Sequence, residues 1–276
     1  MATAPLRDEV FAANRAIGLI ALTVAAGVGR SRPARVHESG SLRVRFPHRD
    51  GAVLDAVIVN TGGGMTGGDR FDLDINVDAG ADVSVTTAAA EKIYRSLGSD
   101  TTFDLNLTIG SGGRLAWLPQ ETILFDRARL RRKIDVDLAP DASLLLAEAT
   151  IFGRSAMGET VLSGSFFDRW RVRVGGSLVF ADAIRLDGAI AQSLAVPAAA
   201  TGGAAVASVL KVPGTEECVA AVRAFQQDFA GEVGVSAWNG LVAVRCVAAD
   251  GAVLRHDLAK VLAALGSGPL PRLWTN

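Results

Sequence analysis

The sequence predicts a mainly β fold: a β-solenoid or sandwich-like body of successive hairpins, with two α-helices near the C-terminus. Two observations support this prediction. Apolar and polar residues alternate along many short segments, which is the period of a strand with one buried face. Tight-turn sequences separate these segments near Gly80, Gly112, Asp141 and Gly176, at intervals of 32, 29 and 35 residues. The loose repeat favours a sheet-built body, and by itself it leaves a sandwich, a barrel and a β-solenoid open.

Length and composition indicate an ordinary globular protein. The chain has 276 residues, 49% of them hydrophobic and 21% charged, and no segment rich enough in Pro, Ser or charge to act as a linker. We therefore expect a single domain over residues 1–276. The net charge of −1 gives no general attraction to nucleic acid or to an anionic membrane. Cys218 and Cys246 cannot form a disulfide framework, so a reducing, cytoplasmic location is expected.

The first apolar segment, residues 16–29, reads AIGLIALTVAAGVG. Its 14 residues are too few for a membrane-spanning helix, which needs about 20. Arginines before it and small residues after it resemble parts of a secretory signal, and the pattern leaves that alternative open. Acidic residues in the leader, Asp8 and Glu9, count against a signal. We expect a buried strand.

The other predicted elements follow in chain order. Alternating segments typical of strands are residues 42–46, 71–77, 83–85, 103–109, 134–138, 144–146, 170–174 and 178–180. Two later stretches, residues 216–230 and 257–265, place apolar residues on one helical face. Residues 242–246 alternate as a strand between these helices, and the Ala/Gly-rich residues 195–205 are a flexible connection.

A glycine-rich loop, NTGGGMTGGDR at residues 60–70, raises the question of nucleotide binding. Gly62, Gly64 and Gly67 fit the G-x-G-x-x-G pattern, but a dinucleotide site needs a helix after the loop, and residues 71–78 alternate as a strand. A P-loop would need a lysine where Asp69 stands, and a carboxylate there repels phosphate. We expect the glycines to serve a crossing where two backbones come close.

Other motifs have simpler interpretations. Residues 72–78 imitate the start of a calcium loop but lack its glycine and glutamate, so an acidic strand face is expected. The basic residues between 127 and 133 suggest a solvated strand face or a contact with an acidic protein partner. No histidine is spaced for a zinc site with another histidine or a cysteine, and no sequence-local catalytic arrangement is present.

Two largely apolar stretches contain carboxylates. Residues 118–126, LPQETILFD, hold Glu121 and Asp126, and residues 144–154 hold Glu148. A buried carboxylate needs a partner, and the ordinary explanation is a structural ion pair with Arg127 or Arg154 or a hydrogen bond from a backbone donor. The alternative is a wet acidic path through the protein, in which cations bind weakly to carboxylate oxygens.

Five motifs in order carry a resemblance to a known family: NTGGGMTGGDR, TTAAAEKIYRS, LPQETILFD, IFGRSAMGE and the terminal PRLWTN. Together they resemble the UreD family of urease accessory proteins, called UreH in some organisms. The resemblance runs from about residue 32 to 276, and residues 1–31 match it poorly. Its motif residues are Gly63, Gly64, Gly67, Gly68, Asp69, Arg70, Tyr94, Arg95, Pro119, Gln120, Gly153 and Arg154.

The resemblance implies a non-catalytic maturation factor with a solenoid-like body. It implies binding to UreF, to the GTPase UreG through UreF, and to apo-urease while nickel is installed. It also implies an internal passage for Ni²⁺, for which Glu121, Asp126, Glu148 and Glu159 are the candidate residues. No tightly bound cofactor is expected, only transient Ni(II), because a site rich in Cys and His would hold the metal too firmly for transfer.

Two other classes of protein remain as alternatives. A β-rich binding or structural module without a metal role would present aromatic residues in register on one face. The single tyrosine and four tryptophans are scattered instead. A nucleotide-dependent enzyme would need a helix after Arg70.

Overall fold

Two β-sheets face each other across a common core and form the body of the protein. The structure is a computed structural model that describes residues 14–48, 50–154, 157–266 and 268–275. Within these residues one sheet has seven strands, in the spatial order β14 (Ser177–Gly188), β13 (Gly164–Val174), β11 (Arg129–Leu138), β8 (Thr101–Ile109), β5 (Arg70–Val77), β1 (Ile17–Ala25) and β2 (Arg32–Gly40).

The second sheet has ten strands in the described ranges. Its main order is β16 (Glu232–Trp238), β17 (Leu241–Ala248), β15 (Ala205–Val212), β12 (Ser143–Phe152), β9 (Arg114–Trp117), β6 (Asp82–Thr87), β4 (Leu54–Asn60) and β3 (Leu42–Arg45). Two short strands, β10 (Thr122–Leu124) and β7 (Glu91–Ile93), extend parallel from the C-terminal half of β12.

The middle of the chain alternates between the two sheets, as a solenoid does. Strands β5, β8, β11 and β13 pair in parallel in one sheet, while β4, β6, β9 and β12 pair in parallel in the other. The predicted fold class is therefore confirmed. One local detail differs: the turns near Gly80, Gly112 and Asp141 join strands of different sheets. Among the four predicted turns, the one at Gly176 joins an antiparallel hairpin, β13–β14.

Equivalent residues of successive coils stack in register and fill the core. Leu73, Leu105 and Ile134 are paired side by side across β5, β8 and β11, and all three are fully buried. Their separations of 32 and 29 residues match the spacing of the turns, because each coil places one residue in each row. Burial of such apolar rows is the main stabilising contribution to this architecture.

The two C-terminal helices cover the outer face of the ten-stranded sheet. The helices of the described chain are α1 (Ile190–Ala195), α2 (Glu216–Arg223) and α3 (Gly251–Leu265), and a 3-10 turn follows at Arg272–Trp274. The two predicted C-terminal helices are confirmed with different ends. Helix α3 begins six residues earlier than predicted, because the Asp250 side chain caps it by accepting hydrogen bonds from the backbone N–H groups of Ala252 and Val253.

The first apolar segment is the predicted buried strand. Strand β1 pairs in parallel with β5, and Ile20, Leu22 and Val24 point into the core. In the described part of the chain, no helix has both the length and the apolar character that crossing a bilayer would require.

Candidate functional site

The glycine-rich loop is a scaffold between strands β4 and β5. Because β5 follows directly, no helix N-terminus is available to hold a phosphate. Asp69 is buried and accepts backbone hydrogen bonds on both oxygens, from the N–H of Ala16 (2.8 Å) and of Thr66 (2.7 Å). It fixes the loop and the start of β1.

The predicted close crossing of two backbones is confirmed at Gly64. The neighbouring Met65 N–H donates to the Lys92 carbonyl, and the Tyr94 N–H donates to the Met65 carbonyl, both at 2.7 Å. A Cβ atom at Gly64 would lie 2.4 Å from the Tyr94 ring, and φ is +147°. Only glycine fits this position without strain.

Beside this crossing a cavity of about 360 Å³ enters the space between the sheets. Exposed residues line one end, among them Gly63, Ala89 and Lys92, and buried residues line the other, including Arg132 and Glu148. The cavity therefore leads from the surface to charged groups in the core. Pro119, Gln120 and Thr122 also line it.

The inner end of the cavity holds a buried triad of charges. Arg132 on β11 and Asp168 on β13 are direct register partners, and Glu148 reaches them from β12 of the opposite sheet. Each of the three residues is only 3–5% exposed. Arg132 Nη2 donates to Asp168 Oδ2 at 2.6 Å, and Arg132 Nη1 donates to Glu148 Oε2. One guanidinium thus joins two carboxylates on facing sheets.

Indole groups complete the hydrogen bonding of both carboxylates. Trp117 Nε1 donates to Glu148 Oε1 at 2.8 Å, and Trp170 Nε1 donates to Asp168 Oδ1 at 3.1 Å. The alternation of β11 puts Arg132 on the inner face with Leu130 and Ile134, whereas its basic neighbours Arg131 and Lys133 face outward. The expected solvated basic face therefore excludes Arg132.

The pKa of Glu148 is raised to about 7. Burial is the main cause and the negative charge of Asp168 adds to it, while Arg132 and Trp117 act in the opposite direction. For Arg132, burial disfavours the charged form, but the two carboxylates outweigh burial and raise the pKa further above its ordinary value. The guanidinium stays charged, and Glu148 can exchange a proton near neutral pH.

A second carboxylate in the cavity, Glu91 on β7, was missed in the sequence. Its Oε1 accepts a hydrogen bond from Asn60 Nδ2 at 2.9 Å. Burial raises the pKa of Glu91 to about 7, although the bond from Asn60 lowers it. The sequence feature that could have identified Glu91 is a single carboxylate directly after the small residues TTAAA.

Gln120 has an unused donor at the cavity wall. Its side-chain Oε1 accepts a hydrogen bond from Arg255 Nη1 at 2.9 Å, and this bond fixes the orientation of the amide group. The amide Nε2 is buried and has no hydrogen-bond partner among the residues that the structure describes. A polar group of this kind ordinarily binds a water molecule or a ligand.

Glu121, the next residue in the chain, is not among the residues that line the cavity. It accepts a hydrogen bond from Arg255 Nη1 at 2.8 Å, and Arg255 also donates to the carbonyl of Leu273 and lies over the Trp274 ring. Trp274 in turn donates to the Leu118 carbonyl at 2.9 Å. Glu121 is thereby part of a network that attaches the C-terminal motif to α3 and the sheet.

Asp126 and Glu159 lie together at the surface. Asp126 Oδ1 accepts from the backbone N–H groups of Leu162 (2.8 Å) and Ser163 (3.1 Å). Glu159 Oε2 accepts from Arg154 Nε at 2.8 Å, and this bond lowers the pKa of Glu159. Arg154 also covers the Phe125 ring, which Tyr94 contacts edge-on.

Of the four sequence-predicted path residues, Glu148 is the one that lines the cavity. Glu121 faces the C-terminal network, and Asp126 and Glu159 form a separate surface cluster. Within the described ranges, no group of three or more His, Cys, Asp and Glu side chains is arranged to hold a metal ion.

The fold and cavity define a β-solenoid protein with a polar internal site. Its family follows from comparison with known proteins. The family described as UreD urease accessory protein matches residues 16–275, so the chain belongs to the UreD family. Similar proteins include urease accessory protein UreD of Rhodopseudomonas palustris strain BisA53, 54% identical over 98% of this chain and 94% of the relative. Urease accessory protein UreD 1 of Bradyrhizobium sp. strain ORS 278 is 48% identical over 97% and 96%.

Family membership establishes the general role. The chain is an accessory protein of urease maturation, it works with the urease machinery, and it is not itself an enzyme. The match to the family begins at residue 16 and so includes strand β1. The five sequence motifs, in contrast, resemble the family only from about residue 32.

Proposed function

We propose that this protein is a scaffold that links UreF, and through it the GTPase UreG, to apo-urease, and that it passes Ni²⁺ toward the urease active site through its internal cavity. The metal is cargo in this proposal. The observation that carries it is the position of Glu148, a carboxylate at the inner end of a surface-connected cavity, with a pKa of about 7.

The chemistry of the cavity suits transfer better than storage. A single carboxylate with water is a weak ligand set for Ni²⁺, whereas Cys and His would bind it firmly. Glu148 releases its proton near neutral pH and can then meet a cation. The adjacent Arg132 keeps its positive charge and disfavours long residence of the metal.

Two further groups support passage along the cavity. Glu91 supplies a carboxylate in the same cavity as Glu148. The free Nε2 donor of Gln120 can hold a water molecule of the hydrated ion. Glu121, Asp126 and Glu159 remain candidates for the path outside this cavity.

The first experiment is co-expression of urease with UreF and UreG, with and without this chain. The nickel content of purified urease is measured by elemental analysis. We expect nickel-poor urease when the chain is missing. Equal nickel in both samples would reject the maturation scaffold.

The role of the cavity is tested with Glu148→Gln. This change keeps the shape of the side chain and removes its charge, so nickel loading should fall while the complex still assembles. Asp168→Asn is the matched control, because Asp168 bonds the same Arg132 and is not among the lining residues of the cavity. Full loading by the Glu148 variant would remove Glu148 from the path.

The same loading assay tests the remaining candidates. Glu91→Gln should lower nickel loading, since Glu91 shares the cavity with Glu148. Glu121→Gln, Asp126→Asn and Glu159→Gln show whether the path extends beyond the cavity. Assembly with UreF and with apo-urease is measured in parallel, so that loss of docking is distinguished from loss of transfer.

A further inference from the structure

Two strongly exposed leucines flank Arg127 at one end of the solenoid. Leu97 is 80% exposed and Leu162 is 65% exposed. The Ser96 N–H donates to the Arg127 carbonyl at 3.0 Å, and the Arg127 N–H donates to the Ser163 carbonyl at 2.8 Å. Arg127 therefore joins the two loops that carry these leucines. Neighbouring large apolar side chains exposed in this way often mark an interaction site.

Arg127 has an unusual backbone conformation. Its φ is +63°, in the left-handed region that favours glycine. An arginine there costs of the order of 1 kcal/mol relative to glycine. Its side chain is 65% exposed, and its nearest carboxylate is Asp126, with Nε to Oδ2 at 3.6 Å. This weak ion pair offsets little of that cost, so the position retains a strained arginine whose charge faces outward.

A groove with three arginines and two aspartates in its lining begins next to these loops. It has a volume of about 370 Å³, and its lining includes Arg131, Phe167 and Arg185, which lie side by side on β11, β13 and β14. Ser165, at the same end of the groove, donates its N–H to the carbonyl of Ala128, next to Arg127. In the described structure neither Arg131 nor Arg185 has a carboxylate within ion-pair distance.

The outer face of this sheet is divided by charge. On β11, β13 and β14 the outward positions are mostly basic, with Arg129, Arg131, Lys133, Arg169, Arg171, Arg173 and Arg185 against Asp135, Asp137 and Asp187. On β5 and β8 the outward positions include Asp72, Asp74 and Asp104. The basic half is thus a local feature of a chain whose net charge is −1.

We propose that the surface formed by Leu97, Arg127, Arg131, Leu162, Phe167 and Arg185, here named the apolar–basic surface, docks an acidic segment of a partner protein that carries apolar anchor residues. Carboxylates of that segment pair with the unpaired arginines, and its apolar side chains cover the two leucines. The proposal rests on the proposed scaffold function, because it assigns one partner contact of that scaffold.

A protein fits this surface better than a nucleic acid does. Aromatic side chains for base stacking are sparse, since Phe167 is the aromatic residue among the six. The neighbouring acidic strands would repel a long phosphate backbone that continued across the sheet. Buried apolar anchors with surrounding arginines are instead the usual composition of protein interface hot spots.

The test measures the dissociation constants of the full chain for purified apo-urease and for purified UreF. Two double variants are compared with the wild type: Leu97→Ser with Leu162→Ser, and Arg131→Glu with Arg185→Glu. We expect both double variants to weaken binding to the same one of the two proteins by at least about tenfold. The wild-type dissociation constant should rise steeply with salt concentration, and the arginine variant should lose this dependence. Val36→Ser with Arg35→Glu is the matched control, because both residues are exposed on β2 at the opposite edge of the same sheet.

Arg127→Gly separates binding from folding. Glycine accepts the left-handed conformation, so the thermal midpoint should stay unchanged or rise. Binding to the same partner should still weaken severalfold, because the exposed charge is lost. A purely structural role for Arg127 would leave the affinity unchanged.

Three outcomes would overturn the proposal. Unchanged affinities in both double variants, with wild-type binding intact, would reject the apolar–basic surface and leave the scaffold function standing. Salt-sensitive binding to duplex DNA that the arginine variant alone abolishes would assign the surface to nucleic acid. Failure of the wild-type chain to bind either protein would reject this surface and the proposed scaffold together.

Discussion

Arg132 and Glu148 lie on facing sheets and form an ion pair across the interior of the solenoid. Asp168 binds the same guanidinium from the neighbouring strand. A pair in this position ties the two sheets together at the inner end of the cavity. It also places a proton-exchanging carboxylate where the proposed nickel path needs one.

Removal of the arginine should be strongly destabilising. Arg132→Met leaves two buried carboxylates without their cation, and breaking a buried pair from one side costs about 3–5 kcal/mol. The loss of stability should be smaller at pH 5 than at pH 8, because Glu148 is largely protonated at pH 5. Urea unfolding at the two pH values measures it.

The neighbouring residue provides the control for this prediction. Arg131→Met makes the same chemical change one residue away on the outer face, where we expect an effect within about 0.5 kcal/mol. Equal destabilisation by the two substitutions would contradict the assigned role of the triad.

Glu91 should make the stability of the protein depend on pH. Its pKa is about 7 in the folded protein against an ordinary 4.5, so the fold favours the protonated form. The stabilising contribution is complete below about pH 4.5 and is lost as the pH rises through 7. The side chain of the Glu91→Gln variant stays neutral at every pH. The free energy of unfolding of this variant should therefore increase relative to that of the wild type by roughly 1–3 kcal/mol between pH 4.5 and 8.

Glu148 titrates in the same direction, but it is present in both proteins and largely cancels in this difference. Denaturant unfolding across the pH range measures the two curves. Parallel curves would show that Glu91 does not titrate near neutral pH.

The glycine-rich loop should tolerate alanine at one position and not at the next. A Cβ atom at Gly64 would overlap the Tyr94 ring, whereas nothing lies within 4 Å of one at Gly63. We expect Gly63→Ala to cost about 1 kcal/mol for its positive φ, and Gly64→Ala to cost about 2–4 kcal/mol. Thermal unfolding of the two variants tests this prediction. Similar unfolding midpoints would contradict the close crossing of the two backbones at Gly64.

Arg255 should hold the C-terminal motif in place. It bonds Gln120, Glu121 and the Leu273 carbonyl, so Arg255→Met leaves the buried Glu121 without its cation. We expect a loss of about 2–4 kcal/mol and faster amide hydrogen exchange around Trp274. His256→Met, at an exposed position of the same helix, should change neither. Unchanged exchange in the Arg255 variant would mean that other contacts hold the terminus.

The sequence predicted the regular parts of the fold because each depends on local information. Alternation over residues 71–77 and 103–109 identified β5 and β8, since a strand with one buried face has a period of two. The strand predicted directly after the glycine-rich loop is confirmed as β5, which begins at Arg70. Strand β16 was missed, because burial along it alternates only between exposed and half-buried.

Connections between elements were less predictable. The same Gly-containing turn can close a hairpin or cross from one sheet to the other, and the choice depends on which strand is available for pairing. Residues near Gly112 gave no local sign that Ile109 and Leu115 belong to different sheets.

The candidate site shows the same limit. Glu148 was chosen because a carboxylate stood in an apolar stretch, and the structure places it in the cavity. Arg132 was hidden in a basic run, since its inward direction follows only from the phase of β11. Its partners Glu148 and Asp168 lie 16 and 36 residues away, beyond any local pattern.

The sequence by itself determined the mainly β class with a solenoid or sandwich-like body, the two C-terminal helices, the scaffold role of the glycine loop and the family. These depend on periodicity, turn chemistry and motif order, which are properties of neighbouring residues. Only the tertiary structure decided that Glu91 and Glu148 share a cavity, that Arg132 joins Glu148 to Asp168, and that Glu121 contacts the C-terminal network instead. Those relationships depend on the register between distant strands and on burial, because a side chain's charge acts through the groups that folding brings within a few ångströms of it.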